Sequence, residues 1–146
     1  MKLPMSIRKF LPHREPMLMV DDILAMDDSF IETNFKIKSC NIFLEDNYLS
    51  EIGIIENAAQ TSSGIVGRPY FEDNKSNKDF KIMGYISKIK SVKIFKLPPV
   101  DALLITRGEL ISNHHIGDVF NCNMKCNTYI GDEKIAESYF NLIIKV

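Results

Sequence analysis

Glu56 and Gln60 stand four residues apart in the segment 50–64, Ser-Glu-Ile-Gly-Ile-Ile-Glu-Asn-Ala-Ala-Gln-Thr-Ser-Ser-Gly. That spacing puts both on one face of a helix, beside an apolar stripe read as Ile52, Ile55, Ala58, Ala59, Ser62 and Val66. A polar pair next to a buried face is either hydrogen-bonded or functional, because stranding one such group costs about 1–3 kcal/mol. A carboxylate in this position can transfer a proton, accept backbone N–H bonds or pair with a buried cation. The amide can pack the helix against a neighbour or line an interface. Proton-transfer partners available in the chain are His13, His114 and His115, and Asp46, before the helix, is an alternative acid or base to Glu56.

The remaining reactive side chains point to no other chemistry. Cys40, Cys122 and Cys126 are odd in number and lack a Cys-x-x-Cys spacing, which suits a reducing cytoplasmic compartment better than a disulfide framework. The mixed His, Cys and Asp content shows no metal-ligand spacing, so no metal is expected. With 18 Lys and Arg against 19 Asp and Glu, the net charge is −1. The lysines are spread along the chain and form no basic block, which argues against nucleic acid as a partner. No apolar run reaches the roughly 18–20 residues of a membrane span. The N-terminal Met-Lys-Leu-Pro-Met-Ser-Ile-Arg-Lys-Phe-Leu lacks the apolar length and cleavage site of a signal peptide. At 146 residues the chain fits a single domain over 1–146.

Strands must position the helix. Ile31, Thr33, Phe35 and Ile37 alternate with Glu32, Asn34, Lys36 and Lys38 across 30–38. Phe120, Cys122, Met124 and Cys126 alternate with Asn121, Asn123, Lys125 and Asn127. Runs 17–25, 82–94, 102–111 and 134–144 are rich in branched and aromatic residues and read as further strands. Residues 113–118 and 131–133 read as hairpin loops, 72–79 as a polar surface loop, and Pro98-Pro99 as a break between strands. The order is a short N-terminal helix, two strands, one long helix and about four antiparallel strands. One helix among so many strands buries its stripe by lying in the concave face of a curled sheet. The expected class is α+β, a hotdog fold, whose sheets pair edge to edge with a second subunit.

Leu11-Pro12-His13-Arg14-Glu15-Pro16-Met17-Leu18-Met19-Val20-Asp21 resembles the N-terminal signature of the β-hydroxyacyl-acyl-carrier-protein dehydratases, a Leu-Pro-His-Arg-x-Pro segment running into an apolar strand that ends in Asp. Ile55-Glu56-Asn57-Ala58-Ala59-Gln60 resembles the Glu-Ala-x-Ala-Gln helix motif of the same family. The motifs occur in the family's order and at about its separation, and the later strands fit, so the resemblance covers nearly the whole chain. It departs just before the helix. The family's active members carry a His-Phe-Pro-Gly segment there, which supplies a catalytic histidine. This chain has Phe43-Leu44-Glu45-Asp46-Asn47-Tyr48-Leu49. In that respect it is similar to the divergent dehydratase-like proteins of aryl polyene and related pigment pathways, where the loop is also truncated.

The resemblance implies removal of water from a 3-hydroxyacyl thioester. A base takes the α-proton, an acid protonates the departing hydroxyl, and donors hold the thioester oxygen, commonly N–H groups at a helix N-terminus. By motif position Glu56 takes the carboxylate role. Gly53 would let substrate approach the backbone closely. Asn47 and Gln60 are candidate substrate contacts, with Asp46 and Asn47 also candidate helix caps. Arg14 could meet a carrier-protein phosphate or pair with Asp21 or Asp22. The missing histidine has three possible sources: His13, ordering its own loop or swinging in to the site; the loop residues His114 or His115; or a partner subunit. The implied partners are an acyl carrier protein, an acyl thioester carried on phosphopantetheine with no other cofactor, and a homodimer or heterodimer with another hotdog subunit. Alternative readings are an acyl-thioesterase, with the helix carboxylate activating water, and a catalytically inactive acyl-binding or scaffold subunit.

Overall fold

Alternating apolar residues become the inward faces of strands, and the sheet they build closes round one helix. The structure, a computed structural model, describes residues 2–73 and 83–145, with only the helical backbone of 67–73. In chain order it comprises β1 (Met5–Ser6), a 3-10 turn (Ile7–Lys9), β2 (Asp22–Met26), β3 (Phe30–Lys36), β4 (Leu44–Glu45), β5 (Tyr48–Leu49), α1 (Glu51–Asp73), β6 (Met83–Ile94), β7 (Leu103–Ile116), β8 (Val119–Ile130) and β9 (Glu133–Lys145). Seven strands form one antiparallel sheet in the order β1-β2-β3-β7-β8-β9-β6, while β4 and β5 make a separate small hairpin.

Helix α1 packs against β3, β6, β7, β8 and β9, so the sheet wraps it on its concave side. Ile31, Thr33 and Phe35 of β3 and Phe120, Cys122, Met124 and Cys126 of β8 all point into that interior, as their period-two spacing requires. The inward residues of β9 (Ala136, Ser138, Phe140, Leu142, Ile144) complete the wall. This is the hotdog architecture.

Of the expected stripe, Ala58, Ala59, Ser62 and Val66 are buried, while Ile52 is 60% exposed and Ile55 half-buried. The buried surface is wider than the stripe: Gly53 and Ile54 are buried near the start of the helix, and from Asn57 to Val66 every residue is buried, polar ones included. Thr61 Oγ1 lies 2.7 Å from Thr33 Oγ1, and the Ser62 and Ser63 hydroxyls donate to the Ala58 and Ala59 carbonyls at 2.9 and 3.0 Å. Polar groups paired in this way can be buried without the cost of stranding them.

Other boundaries also moved. Helix α1 runs past Gly64 to Asp73, so Glu72 and Asp73 belong to it, while 74–82 lie outside the described residues. The expected strand from Met17 starts only at Asp22, because the backbone of 17–19 is bonded by helix side chains instead of by a strand. The expected loop 113–118 narrows to a turn at Gly117 and Asp118: His114 and His115 lie on β7, opposite Asn121 and Phe120, in an antiparallel ladder.

Candidate active site

The polar face of α1 reaches across to the N-terminal segment and holds it. Gln60 Oε1 accepts from the Met19 N–H at 2.7 Å, and Gln60 Nε2 donates to the Met17 carbonyl at 2.9 Å. Asn57 Nδ2 donates to the Met19 carbonyl at 2.7 Å. Behind it, Thr106 Oγ1 of β7 donates to Asn57 Oδ1 at 2.6 Å and lies 3.3 Å from Thr128 Oγ1 of β8. Asn57, Thr106 and Thr128 are all almost fully buried. The residues that a strand ladder would have bonded are therefore bonded by two helix amides. This anchors 17–19 to the helix without using up a sheet position.

That anchoring holds the segment following His13 against the helix turns that carry Glu56 and Gln60. His13 and Glu56 line one cavity of about 410 Å³, together with Met17, Gln60 and Ser63 and closed on the far side by Gly84 and Ile86 of β6. Positions 56 and 63 are seven residues apart on α1, so the cavity extends about 10 Å along the helix. Gln60 Nε2 also donates to Glu56 Oε2 at 3.1 Å, which orients the carboxylate. His13 Nδ1 is buried with no hydrogen-bond partner among the described residues. An imidazole and a carboxylate on one cavity are the types of group that can move one proton off a carbon and another onto a leaving oxygen.

The other sequence candidates are placed elsewhere. Asp46 and Asn47, at φ of 52° and 67°, form the tight corner of the β4–β5 hairpin; the Asn47 carbonyl accepts from Val100 N–H at 2.9 Å. They are four or more residues before Glu51, too far to cap α1, and neither lines the cavity. Gly53 is buried, but the space above it is occupied. A Cβ there would fall 2.5 Å from Leu49 Cδ1 and 3.1 Å from Phe43 Cβ, so the glycine admits protein side chains and not a substrate. Arg14 Nη1 donates to the carbonyls of His13 at 2.7 Å and Leu11 at 3.0 Å, and so braces the loop that carries His13. It pairs with neither Asp21 nor Asp22; Asp21 Oδ2 accepts from Lys36 N–H at 2.8 Å. In this segment the ion pair is formed by Arg8 and Glu15.

His114 and His115 are exposed at the far end of β7, with His115 stacked on Phe120 at 4.2 Å between centroids. Neither is in the cavity. Cys122 and Cys126 are buried on the inner face of β8, and burial pushes their thiols up to about 11 and about 12, which makes them poor nucleophiles at neutral pH. Among the described residues no group of three or more His, Cys, Asp or Glu could hold a metal ion. Asn57 and Thr106 escaped the sequence reading. One signal was available: Asn57 stands where the helix motif has alanine, and a buried asparagine requires partners.

A sheet curled around one helix, with His13 and Glu56 lining a common cavity, defines the class: a hotdog protein. Comparison with known proteins takes this further. The chain belongs to the ApeP-like family, described as ApeP dehydratase, whose model matches residues 5–143. It is a dehydratase-like hotdog protein. It is 28% identical over 141 residues to the 3-hydroxyacyl-[acyl-carrier-protein] dehydratase FabZ of Wolbachia sp. subsp. Brugia malayi (strain TRS), covering 91% of this chain and 90% of that protein.

Among solved structures, the dehydratase heterocomplex ApeI:P from Xenorhabdus doucetiae matches with a TM-score of 0.77 at 15% identity, covering 97% of this chain and 91% of that one. A hypothetical thioesterase from Streptococcus pneumoniae, solved with coenzyme A, matches at 0.60 and 15% identity over 84% of each chain. At these identities both structures speak for the fold alone. Among the described residues no helix is long and apolar enough to cross a membrane.

Proposed function

We propose that this chain dehydrates a 3-hydroxyacyl thioester carried on the phosphopantetheine arm of an acyl carrier protein, in a fatty-acyl or aryl-polyene-type pathway of the cytoplasm, with His13 and Glu56 as its acid–base pair. The observation that carries the reading is the shared cavity, in which Gln60 bonds both the Glu56 carboxylate and the backbone that bears His13. One imidazole nitrogen takes the α-proton as the C–O bond to the 3-hydroxyl breaks. The protonated carboxyl of Glu56 gives that hydroxyl its proton, and water leaves an enoyl thioester. No metal or redox cofactor enters these steps. His13 thereby substitutes for the histidine that the family's active members carry before the helix.

The chain works, in this proposal, as one half of a heteromeric pair with a second hotdog subunit. The solved neighbour in a dehydratase heterocomplex supports this, as does the open edge at β6. The free cysteines suit a reducing compartment.

The test is dehydration of a 3-hydroxyacyl thioester, or hydration of the enoyl thioester, by the purified chain and by the chain co-expressed with its partner subunit. Elimination of water without release of free thiol is expected, and release of thiol would instead indicate thioester hydrolysis. Full activity in both Glu56→Gln and His13→Ala would overturn the assignment.

A further inference from the structure

We infer that the free edge of β6 is built to pair with a different hotdog subunit and to refuse a second copy of this chain, because Lys88 and Lys90 would face their own counterparts. The inference rests on the pairing half of the proposed function and not on its chemistry. Strand β6 ends the sheet and, among the described residues, bonds only β9. Met83, Tyr85 and Ile89 along it are 50, 58 and 47% exposed, an apolar load that an edge left permanently in water seldom carries. Tyr85 and Ile86 also line the cavity of His13 and Glu56, so a strand laid along this edge would border the site.

The charges then choose the partner. Strand β6 carries three lysines and no acidic residue. Lys93 is opposite Glu137 of β9, and just beyond the strand Lys96 pairs with Glu133 at 3.5 Å. Among the described residues Lys88 and Lys90 form no ion pair: Lys88 is opposite Asn141, and Lys90 Nζ donates to Asn123 Oδ1 at 2.7 Å. Two β6 strands paired antiparallel about a twofold axis at Ile89 would set Lys88 against the second copy's Lys90, and the symmetry repeats the clash. Shifting the axis by a residue or two still gathers the four lysines near the centre of the seam, with each Lys90 ammonium leaning inward to Asn123 of β8. Like charges across a strand pair destabilise it and exclude the wrong partner. An edge with carboxylates at this level converts each clash into an ion pair.

A charge-reversed copy of the chain serves as a surrogate acidic-edge partner. Wild type, Lys88→Glu/Lys90→Glu and their equimolar mixture are compared by sedimentation velocity at about 50 mM and about 500 mM NaCl, where screening lengths differ severalfold. At low salt each chain alone is expected to be monomeric and the mixture to dimerise, at least about tenfold tighter than either self-association. High salt should narrow the gap. A wild-type dimer as tight at low salt as at high salt would overturn the inference. So would a mixture no tighter than wild type alone, which would leave the lysines as simple guards against aggregation. Lys88→Ser/Lys90→Ser is the second variant, should the reversed copy fail to fold. Its self-association is expected to exceed that of wild type at low salt, and equality overturns the charge argument. None of these readouts involves turnover, so an inactive site would leave the result standing.

Discussion

Gln60 Nε2 donates to Glu56 Oε2 at 3.1 Å from one turn farther along α1, and the same nitrogen bonds the Met17 carbonyl at 2.9 Å. One amide thus ties the candidate acid to the segment that bears the candidate base. Glu56 and Gln60, the polar pair beside the apolar stripe, are partners of each other, and the chain around them is arranged by that partnership.

Glu56→Gln and His13→Ala are each expected to lower kcat for dehydration by at least about 100-fold, the scale of general acid–base loss. Both residues lie at a cavity wall, not deep in the core, so the melting temperature should change little. Steady-state kinetics on the assembled pair, beside a thermal melt, separates lost chemistry from lost folding.

Asn57→Ala should cost about 2–4 kcal/mol, because it strands the Met19 carbonyl in the interior and leaves the Thr106 hydroxyl only the longer contact to Thr128. Thr106→Val in the same background should cost much less than it does alone, since the hydroxyl has already lost its closer acceptor. Urea unfolding of the two single variants and the double variant measures this coupling. Additive losses would mean that the network does not act as a unit.

Gly84 lets β6 approach α1. A Cβ at this position would lie 2.9 Å from Ser63 Oγ, itself bonded to the Ala59 carbonyl. Gly84→Ala is expected to cost about 1–2 kcal/mol through overpacking. Adding Ser63→Ala removes the obstructing oxygen and should recover most of the loss. Denaturant midpoints of the two variants test the contact, and an unrescued double variant argues against it.

Stability should fall on the alkaline side. The thiols of Cys122 and Cys126 rise from an ordinary 9.0 to about 11 and about 12 on burial, so the folded chain keeps protons that the unfolded chain releases. Their contribution is full below pH 9 and is lost as the pH climbs toward those folded values. Melting temperatures measured from pH 8 upward should decline, and Cys122→Ala/Cys126→Ala should flatten that part of the decline. At pH 8 an alkylating reagent should modify Cys40, which is exposed, well before the other two.

Much of this molecule could be read from residue order. The alternation in 30–38 and 120–127 gave both the strands and their inward faces, because a strand's period of two allows no other assignment once one face is apolar. The helix was legible as a helix, and its Glu56 and Gln60 as a related pair, because i, i+4 adjacency is a local property. The stripe of Ala58, Ala59, Ser62 and Val66 was legible, but its extent was not. Ile52 and Ile55 at its start stay exposed or half-buried, and long-range partners such as Thr33 and Thr106 let Thr61 and Asn57 join the interior.

The loop residues divide for the same reason. Asn47 looked like a helix cap or a substrate contact and is a hairpin corner; Gly53 looked open and is covered by Leu49 and Phe43. His13 lies 43 residues from Glu56 in the chain, and no local rule relates them. The sequence by itself determined the curled sheet, the single helix and the carboxylate that the helix carries, since each follows from periodicity and spacing within a few residues. Only the tertiary structure decided which histidine shares a cavity with that carboxylate. That choice depends on Asn57 and Gln60 capturing the backbone of Met17 and Met19 across the fold, and hydrogen bonds between distant segments form only once the chain has brought them together.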